Sequence, residues 1–386
     1  MKLALYLPNF RDEVTVQELS DLTDLAEELD FDSIWTLDRI VVPEASDREE
    51  LEYAFGMMDG FPKSLPVSSR GQWFQGWPLI PWLAAKTTKC RIGMSITDTP
   101  YRAPGVLAAE LATVDHLCNG RLNVGVGAGW MPEEFAASSA SHIFPKRHKH
   151  VRETIEIMQG IWTNEVFEYH GEFADFPPCG FGAKPVQDPH PPIFFSGLRD
   201  PKRAASRIAK YDLSGWIGIQ DTPSEFLEWR GPIQQELEEL GKPDALEQLE
   251  LCSMYWFVIT DEPSDQTDIG KASNILVGTK QQITDNLKRL KESGLTMPLI
   301  WPPFTDVQSR RRSTTSRSSS RDHARGRRRL SLPGGWPDCA HHHLALRAPR
   351  SRTSSMKLAE KRGAARLVTA DHGVLATVDV VGWSAG

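Results

Sequence analysis

From Leu3 to Trp301 eight short apolar runs alternate with seven longer stretches of helical period. The runs are LALYLP (Leu3–Pro8), SIWTLD (Ser33–Asp38), RIGMSIT (Arg91–Thr97), RLNVGVG (Arg121–Gly127), PPIFFSG (Pro191–Gly197), LSGWIGI (Leu213–Ile219), LCSMYWFVIT (Leu251–Thr260) and MPLIW (Met297–Trp301). Helices are expected between them over Thr15–Leu29, Pro78–Thr88, Ala103–Cys118, His148–Trp162, Pro201–Lys210, Ser224–Leu240 and Lys280–Ser293. In the first, Thr15 and Glu18 form a capping box and Val16, Leu19, Leu22, Leu25 and Leu29 share a face. Alternating strands and helices imply a parallel sheet covered by helices. Eight such units suit a closed (β/α)8 TIM barrel better than an open sheet.

Two stretches interrupt the rhythm. Val41–Gly76 carries Tyr53, Phe55, Met57, Met58, Phe61 and Trp73, is too long for an ordinary connection, and would cover a pocket or meet another subunit. VFEYHGEFADFPP (Val166–Pro178) reads as an inserted hairpin.

The chain changes character near residue 308. From Gln308 onward there are 16 Lys and Arg against 5 Asp and Glu, a charge of +11, so the preceding residues carry about −18 of the net −7. We therefore divide the chain into a barrel domain, 1–307, and a basic, low-order tail, 308–386. The tail begins where an eighth barrel helix belongs; Gln308–Met356 is Arg- and Ser-rich and lacks a helical or strand period, whereas LVTADHGVLATVDVVGW near the end could form a strand or two and is given no role. We read it as sequence translated after loss of frame near Asp306–Gln308; the alternative is a disordered basic tail that contacts RNA. The acidic barrel is a poor partner for nucleic acid. No apolar run is long enough to span a membrane. The five scattered cysteines fit a reducing cytoplasm rather than a disulfide or zinc framework.

GVGAGW (Gly125–Trp130) invites comparison with a dinucleotide loop. That loop needs G-x-G-x-x-G opening a helix. Here the spacing is G-x-G-x-G, followed by Trp130, Met131 and Pro132. A Rossmann nicotinamide site is not expected. The glycines fall at the C-terminal end of a barrel strand, where such barrels build their sites and where bare backbone admits a planar ligand; close packing is the other reason to place them there. His142, His148 and His150 lack the spacing and carboxylate support of a metal site, so no metal is expected.

TPYRAPGVLAAELATVDHLCNGRLNVGVGAGWMPEEF (Thr99–Phe135), PPIFFSGLRDPKRAASRIAKYDLSGWI (Pro191–Ile217) and ILVGTKQQITDNLKRLKESGL (Ile275–Leu295) together resemble the bacterial luciferase-like superfamily of flavin- and F420-dependent oxidoreductases, in order and spacing over about residues 1–305. The resemblance implies the same (β/α)8 barrel, with FMN or coenzyme F420 at the C-terminal mouth. It implies oxidation of a small organic substrate, by oxygen insertion with reduced flavin or by hydride exchange with F420. It also implies a separate flavin or F420 reductase and a homodimer.

Residue by residue, the family's third strand carries a non-prolyl cis peptide beneath the cofactor ring, which falls here at Ser95–Ile96, before Thr97. Gly127, Ala128 and Gly129 match the flavin-proximal turn. Ser196, Gly197 and Leu198, Gly215 and Trp216, and Gly278 and Thr279 match positions near the cofactor phosphate or tail. Thr279 with Gln282 is equally a capping box that needs no ligand. The resemblance makes Asp38 and Arg39 the catalytic candidates. Many relatives carry Asp-His at the end of the second strand; this chain has Asp38-Arg39. Arg stays protonated and is no base, but it could hold an anionic substrate, a cofactor oxygen or a flavin carbonyl, or pair with a nearby acid. Two further readings remain: a flavin-binding barrel without turnover, through loss of the final helix, and nucleic-acid binding through the tail.

Overall fold

The computed structural model describes residues 1–10, 14–44, 69–196, 200–219, 221–265 and 275–302. Within them lie eight parallel strands: β1 (Ala4–Tyr6), β2 (Ser33–Thr36), β3 (Arg91–Met94), β4 (Leu122–Gly127), β5 (Ile193–Ser196), β6 (Gly215–Ile219), β7 (Glu250–Ile259) and β8 (Met297–Trp301). Each pairs with its neighbours in chain order, β8 pairs with both β1 and β7, and the sheet closes on itself. It is the (β/α)8 barrel that the alternation predicts.

Helices α1 (Val16–Glu28), α2 (Gly76–Lys86), α3 (Pro104–Leu117), α4 (Arg147–Thr163), α5 (Pro201–Tyr211), α6 (Pro223–Glu239) and α7 (Lys280–Glu292) follow strands β1 to β7. Their starts are written locally. Thr15 caps α1 by accepting from the Glu18 amide, Asp200 caps α5 through the Arg203 amide, and Thr222–Glu225 and Thr279–Gln282 form complete capping boxes. The buried face of α1 differs from the expected one. Leu19, Thr23 and Ala26 are buried, whereas Val16 sits in the first turn and is exposed. The basic tail, with its alternative frame-loss and RNA readings, lies outside the described residues, as do Gly197, Leu198 and residues 45–68 of the long segment.

The barrel interior is filled by large aromatic side chains set against glycines. The Trp35 ring occupies the space a Cβ on Gly93 would need, at 2.7 Å, and the Phe194 ring does the same at Gly215, at 2.2 Å. The two rings meet edge to face with centroids 5.1 Å apart. This plugs the lower barrel and leaves the C-terminal mouth for chemistry. The expected hairpin is present as antiparallel Phe167–His170 and Asp175–Cys179. An extra strand, Ile275–Gly278, lies in parallel beside the far half of β7.

Candidate active site

β3 breaks at its C-terminal end. Met94 is its last residue, the Ser95–Ile96 peptide is cis, and Thr97–Asp98 resumes pairing, now with Val126–Gly127 of β4. Two bonds fix the turn: the Tyr6 hydroxyl donates to the Ser95 carbonyl at 2.7 Å, and the Ser95 amide donates to the Thr36 carbonyl at 2.8 Å. The strand-four glycines make room for this turn. A Cβ on Gly125 would lie 2.1 Å from the Met94 carbonyl oxygen, and one on Gly127 would lie 3.1 Å from Ile96 Cγ2. Gly129 has φ +67°, and a Cβ there would meet the Tyr101 hydroxyl at 2.7 Å. On their side-chain side these glycines face protein; Ala128 and Gly129 are half-buried at the strand end.

Beside the turn lies a buried network of charges. Asp38, 1% exposed, takes both guanidinium nitrogens of Arg102, at 2.5 and 3.0 Å, and accepts from the Asp98 amide at 3.2 Å. Arg102 also stacks on Trp77 at 5.0 Å. Arg39, 5% exposed, donates to Glu134 at 2.6 Å and lies between the Phe10 and Trp130 rings, at 5.6 and 5.1 Å. Glu134 also accepts from the Ile40 amide and the Tyr101 hydroxyl. Burial pushes the Glu134 carboxyl above its usual range, and Arg39 pulls it part of the way back. Of Arg39, therefore, the pairing reading is what the geometry displays, with the partner buried rather than at the surface. Beside this network, among the described residues, Arg39 Nε and the Thr36 hydroxyl are buried without a hydrogen-bond partner.

The mouth carries an aromatic shelf. Tyr6 stacks on Trp301 at 4.7 Å, and Trp301 meets Trp256 at 5.4 Å, from the ends of β1 and β8 and the second half of β7. A second feature is cationic: Arg147 and Arg152 on α4 with Arg203 and Arg207 on α5. Burial, then Arg147, Arg207, Arg152 and Arg203 in turn, hold the His148 imidazole below its usual range. Burial and the like charges of Arg152 and Arg203 lower Arg207 as well. The same group also holds an acid, since Asp200 lies 3.7 Å from Arg203.

The remaining candidate residues divide by position. Ser95, Ile96, Thr97, Gly127, Ala128 and Gly129 surround the turn, and Ser196 ends β5 at the same mouth. Gly215 and Trp216 do not join them. They open β6 at the N-terminal end of the barrel, where Gly215 accommodates Phe194 and the Trp216 indole packs outward on Trp229 of α6, at 5.2 Å. Gly278 and Thr279 sit at the start of α7, where the Thr279 hydroxyl is engaged by the Gln282 amide. Sequence reading overlooked Tyr6, Asp98, Tyr101, Arg102, Glu134, Trp256 and Trp301. Tyr6, Trp256 and Trp301 had a signal: polar-tipped aromatics at strand ends.

His142, His148 and His150 do not converge, and among the described residues no group of three His, Cys, Asp or Glu is placed to hold a metal. His150 is buried on α4 beside Phe173, and burial holds its imidazole down at about 4; Glu153 opposes this and His142 adds to it. The unfolded chain therefore takes up a proton from about pH 6.5 downward that the folded chain refuses until about 4, so stability falls as pH drops through that window. Urea unfolding at pH 7 and 4.5 should show a loss of about 2 kcal/mol from this group. His150→Gln should remove that part of the slope. An unchanged slope would contradict the assignment.

A family model described as luciferase-like monooxygenase matches residues 1–269. An uncharacterized protein of Mycobacterium tuberculosis is 30% identical over 229 residues, covering 58% of this chain and 73% of that one. The FMNH(2)-dependent dimethylsulfone monooxygenase of Pseudomonas putida is 28% identical over 222 residues, 55% of each chain. Among solved structures, an F420-dependent secondary alcohol dehydrogenase in complex with an F420-acetone adduct superposes with a TM-score of 0.61 at 17% identity, covering 78% of this chain and 93% of that one, a likeness of fold. No described helix is long and apolar enough to cross a membrane.

Proposed function

The chain belongs to the luciferase-like monooxygenase family, and from that premise we propose that it is the oxygenating component of a reduced-FMN monooxygenase acting on a small organic substrate. The observation that carries this reading is the state of the β2 end. Hydride removal from an alcohol needs a base to take the hydroxyl proton. Here Asp38 is committed to Arg102 and Arg39 is a permanent cation bound to Glu134. Oxygenation with a reduced flavin asks for no base at that place.

The residues present suit a flavin. The Tyr6–Trp301–Trp256 shelf and the Ser95–Thr97 turn offer flat walls for a ring, and the unpartnered Thr36 hydroxyl and Arg39 Nε offer donors. Ser95–Thr97, Ala128–Gly129 and Ser196 would flank the ring. The cationic group on α4 and α5 would hold the phosphate. When bound, reduced flavin would supply two electrons to O2, one oxygen atom of which would oxidise the substrate while the other leaves as water. The chain's own part is to hold that ring, fix the substrate beside it and keep water out of a mouth with its charges already paired. Gly125–Trp130 lacks the spacing of a Rossmann nicotinamide loop, and the reduced flavin would come from a separate reductase.

One observation favours a second reading, hydride exchange with F420: the cationic group brings together four arginines, more than a single phosphate needs, and would suit a longer anionic tail. Turnover separates the two. The full chain, a flavin reductase, NADH and FMN should consume O2 in step with oxidation of a member of a panel of small organic compounds. Anaerobic reduction of F420 by an alcohol in the panel, with no FMN-dependent product, would overturn the proposal.

A further inference from the structure

Asp98 is the one member of the mouth's charge network whose side chain has no assigned task. Its backbone is engaged: the amide donates to Asp38, and the residue pairs with Gly127 of β4. The side chain belongs to a residue only 9% exposed, and among the described residues no hydrogen bond or ion pair reaches its carboxyl oxygens. Around it stand Tyr6 from β1, Asp38 and Arg39 from the end of β2, Tyr101 and Arg102 from the turn before α3, and Glu134 from the short helix Pro132–Ala137.

The charges do not balance if every carboxyl is ionised. Arg102 is held in two bonds by Asp38 and Arg39 is bound to Glu134, which leaves Asp98 as a third carboxyl with no cation of its own. A buried carboxylate beside two others, without a partner, is costly, and the cheapest remedy is to keep its proton. Burial first, then Asp38 and Glu134, push the Asp98 carboxyl well above the usual carboxylate range, and Arg39 and Arg102 only partly oppose this. A protonated carboxyl is a hydrogen-bond donor, and among the described residues the Asp98 carboxyl makes no hydrogen bond to the acceptors around it. It adjoins the cis turn where the proposed cofactor ring would lie.

We propose that Asp98 is a substrate-positioning residue, which as a neutral acid donates a hydrogen bond to an acceptor oxygen of an uncharged substrate. This rests on the reading of the mouth as the active site. It assigns a substrate class: neutral molecules bearing a carbonyl or similar oxygen, in preference to carboxylates or sulfonates, which would bring another negative charge beside Asp38 and Glu134.

Two measurements on the full-length protein test it. Infrared difference spectra of the protein without cofactor should contain a protonated carboxyl band at pH 7 that is missing in both Asp98→Asn and Asp98→Leu. That result does not depend on which cofactor binds, so its failure is separable from failure of the proposed function. In turnover, Asp98→Leu should raise KM at least tenfold with little change in kcat. Asp98→Asn, which keeps a donor, should stay near wild type at pH 7 and lose the rise in KM that wild type shows at alkaline pH, where the carboxyl ionises. Absence of the band, or identical KM and pH profiles for wild type and both variants, would overturn the proposal and leave Asp98 a packing residue.

Discussion

Replacing Arg39 by methionine is expected to cost the fold about 3–5 kcal/mol, the loss typical of a buried ion pair broken from one side. The guanidinium and the Glu134 carboxylate are 2.6 Å apart with side chains 6% and 0% exposed. Methionine would still fill the space between Phe10 and Trp130, so the loss reports the charge rather than a cavity. What remains is a buried carboxylate with only the Ile40 amide and the Tyr101 hydroxyl to satisfy it. In the variant Glu134 should hold its proton to higher pH than in the unfolded chain. Its penalty is then absent below the unfolded carboxylate range and grows as pH rises, so Arg39→Met should recover stability on acidification. Adding Glu134→Leu should restore most of the loss, because it removes the uncompensated charge. Urea melts of wild type, both single variants and the double variant at pH 5 and 8 give the result. Single variants within about 0.5 kcal/mol of wild type would mean that the pair is dispensable.

The second large effect is expected at Gly125. A methyl group there would lie 2.1 Å from the Met94 carbonyl oxygen and 3.5 Å from Ile217 Cδ1. The first obstacle is backbone and has no rotamer to escape into, so β3 and β4 must part. Overpacking of this kind costs about 3 kcal/mol. The displaced atoms lead directly into Ser95–Ile96, whose position depends on Tyr6 and on contact of Ile96 with Gly127. Gly125→Ala should therefore weaken flavin binding as well as the fold. Gly231, inside α6, has nothing within 4 Å of a built Cβ, and Gly231→Ala there should raise stability by up to about 1 kcal/mol. Thermal melts of the two variants side by side check the contrast. Equal behaviour would show that the β3–β4 contact is soft.

The barrel was legible because hydrophobic period is a local property. A strand of four residues and a helix of thirteen leave different patterns, and eight strands alternating with seven helices admit few architectures. The C-terminal location of the site followed from the barrel itself. The partnerships inside the site were not legible. Arg39 and Glu134 are 95 positions apart, and Asp38 and Arg102 are 64 apart. Nothing in WMPEEF says that the second glutamate turns inward while the first remains at the helix start. Gly215 and Trp216 came from the resemblance rather than from periodicity, and strand pairing puts them at the start of the sixth strand, away from the cis turn. The purpose of GVGAG was half legible. Its place at a strand end was clear, but the object that fills the missing side chains, the Met94–Ile96 turn, belongs to another strand.

The most direct test of the account is a titration of the full-length protein with oxidised FMN, reduced FMN and F420 in turn, followed by fluorescence and absorbance under anaerobic conditions. Reduced FMN should bind saturably, more tightly than F420 and less tightly in Gly125→Ala. Tight binding of F420 with none of reduced FMN, or a folded protein that binds neither, would contradict the account.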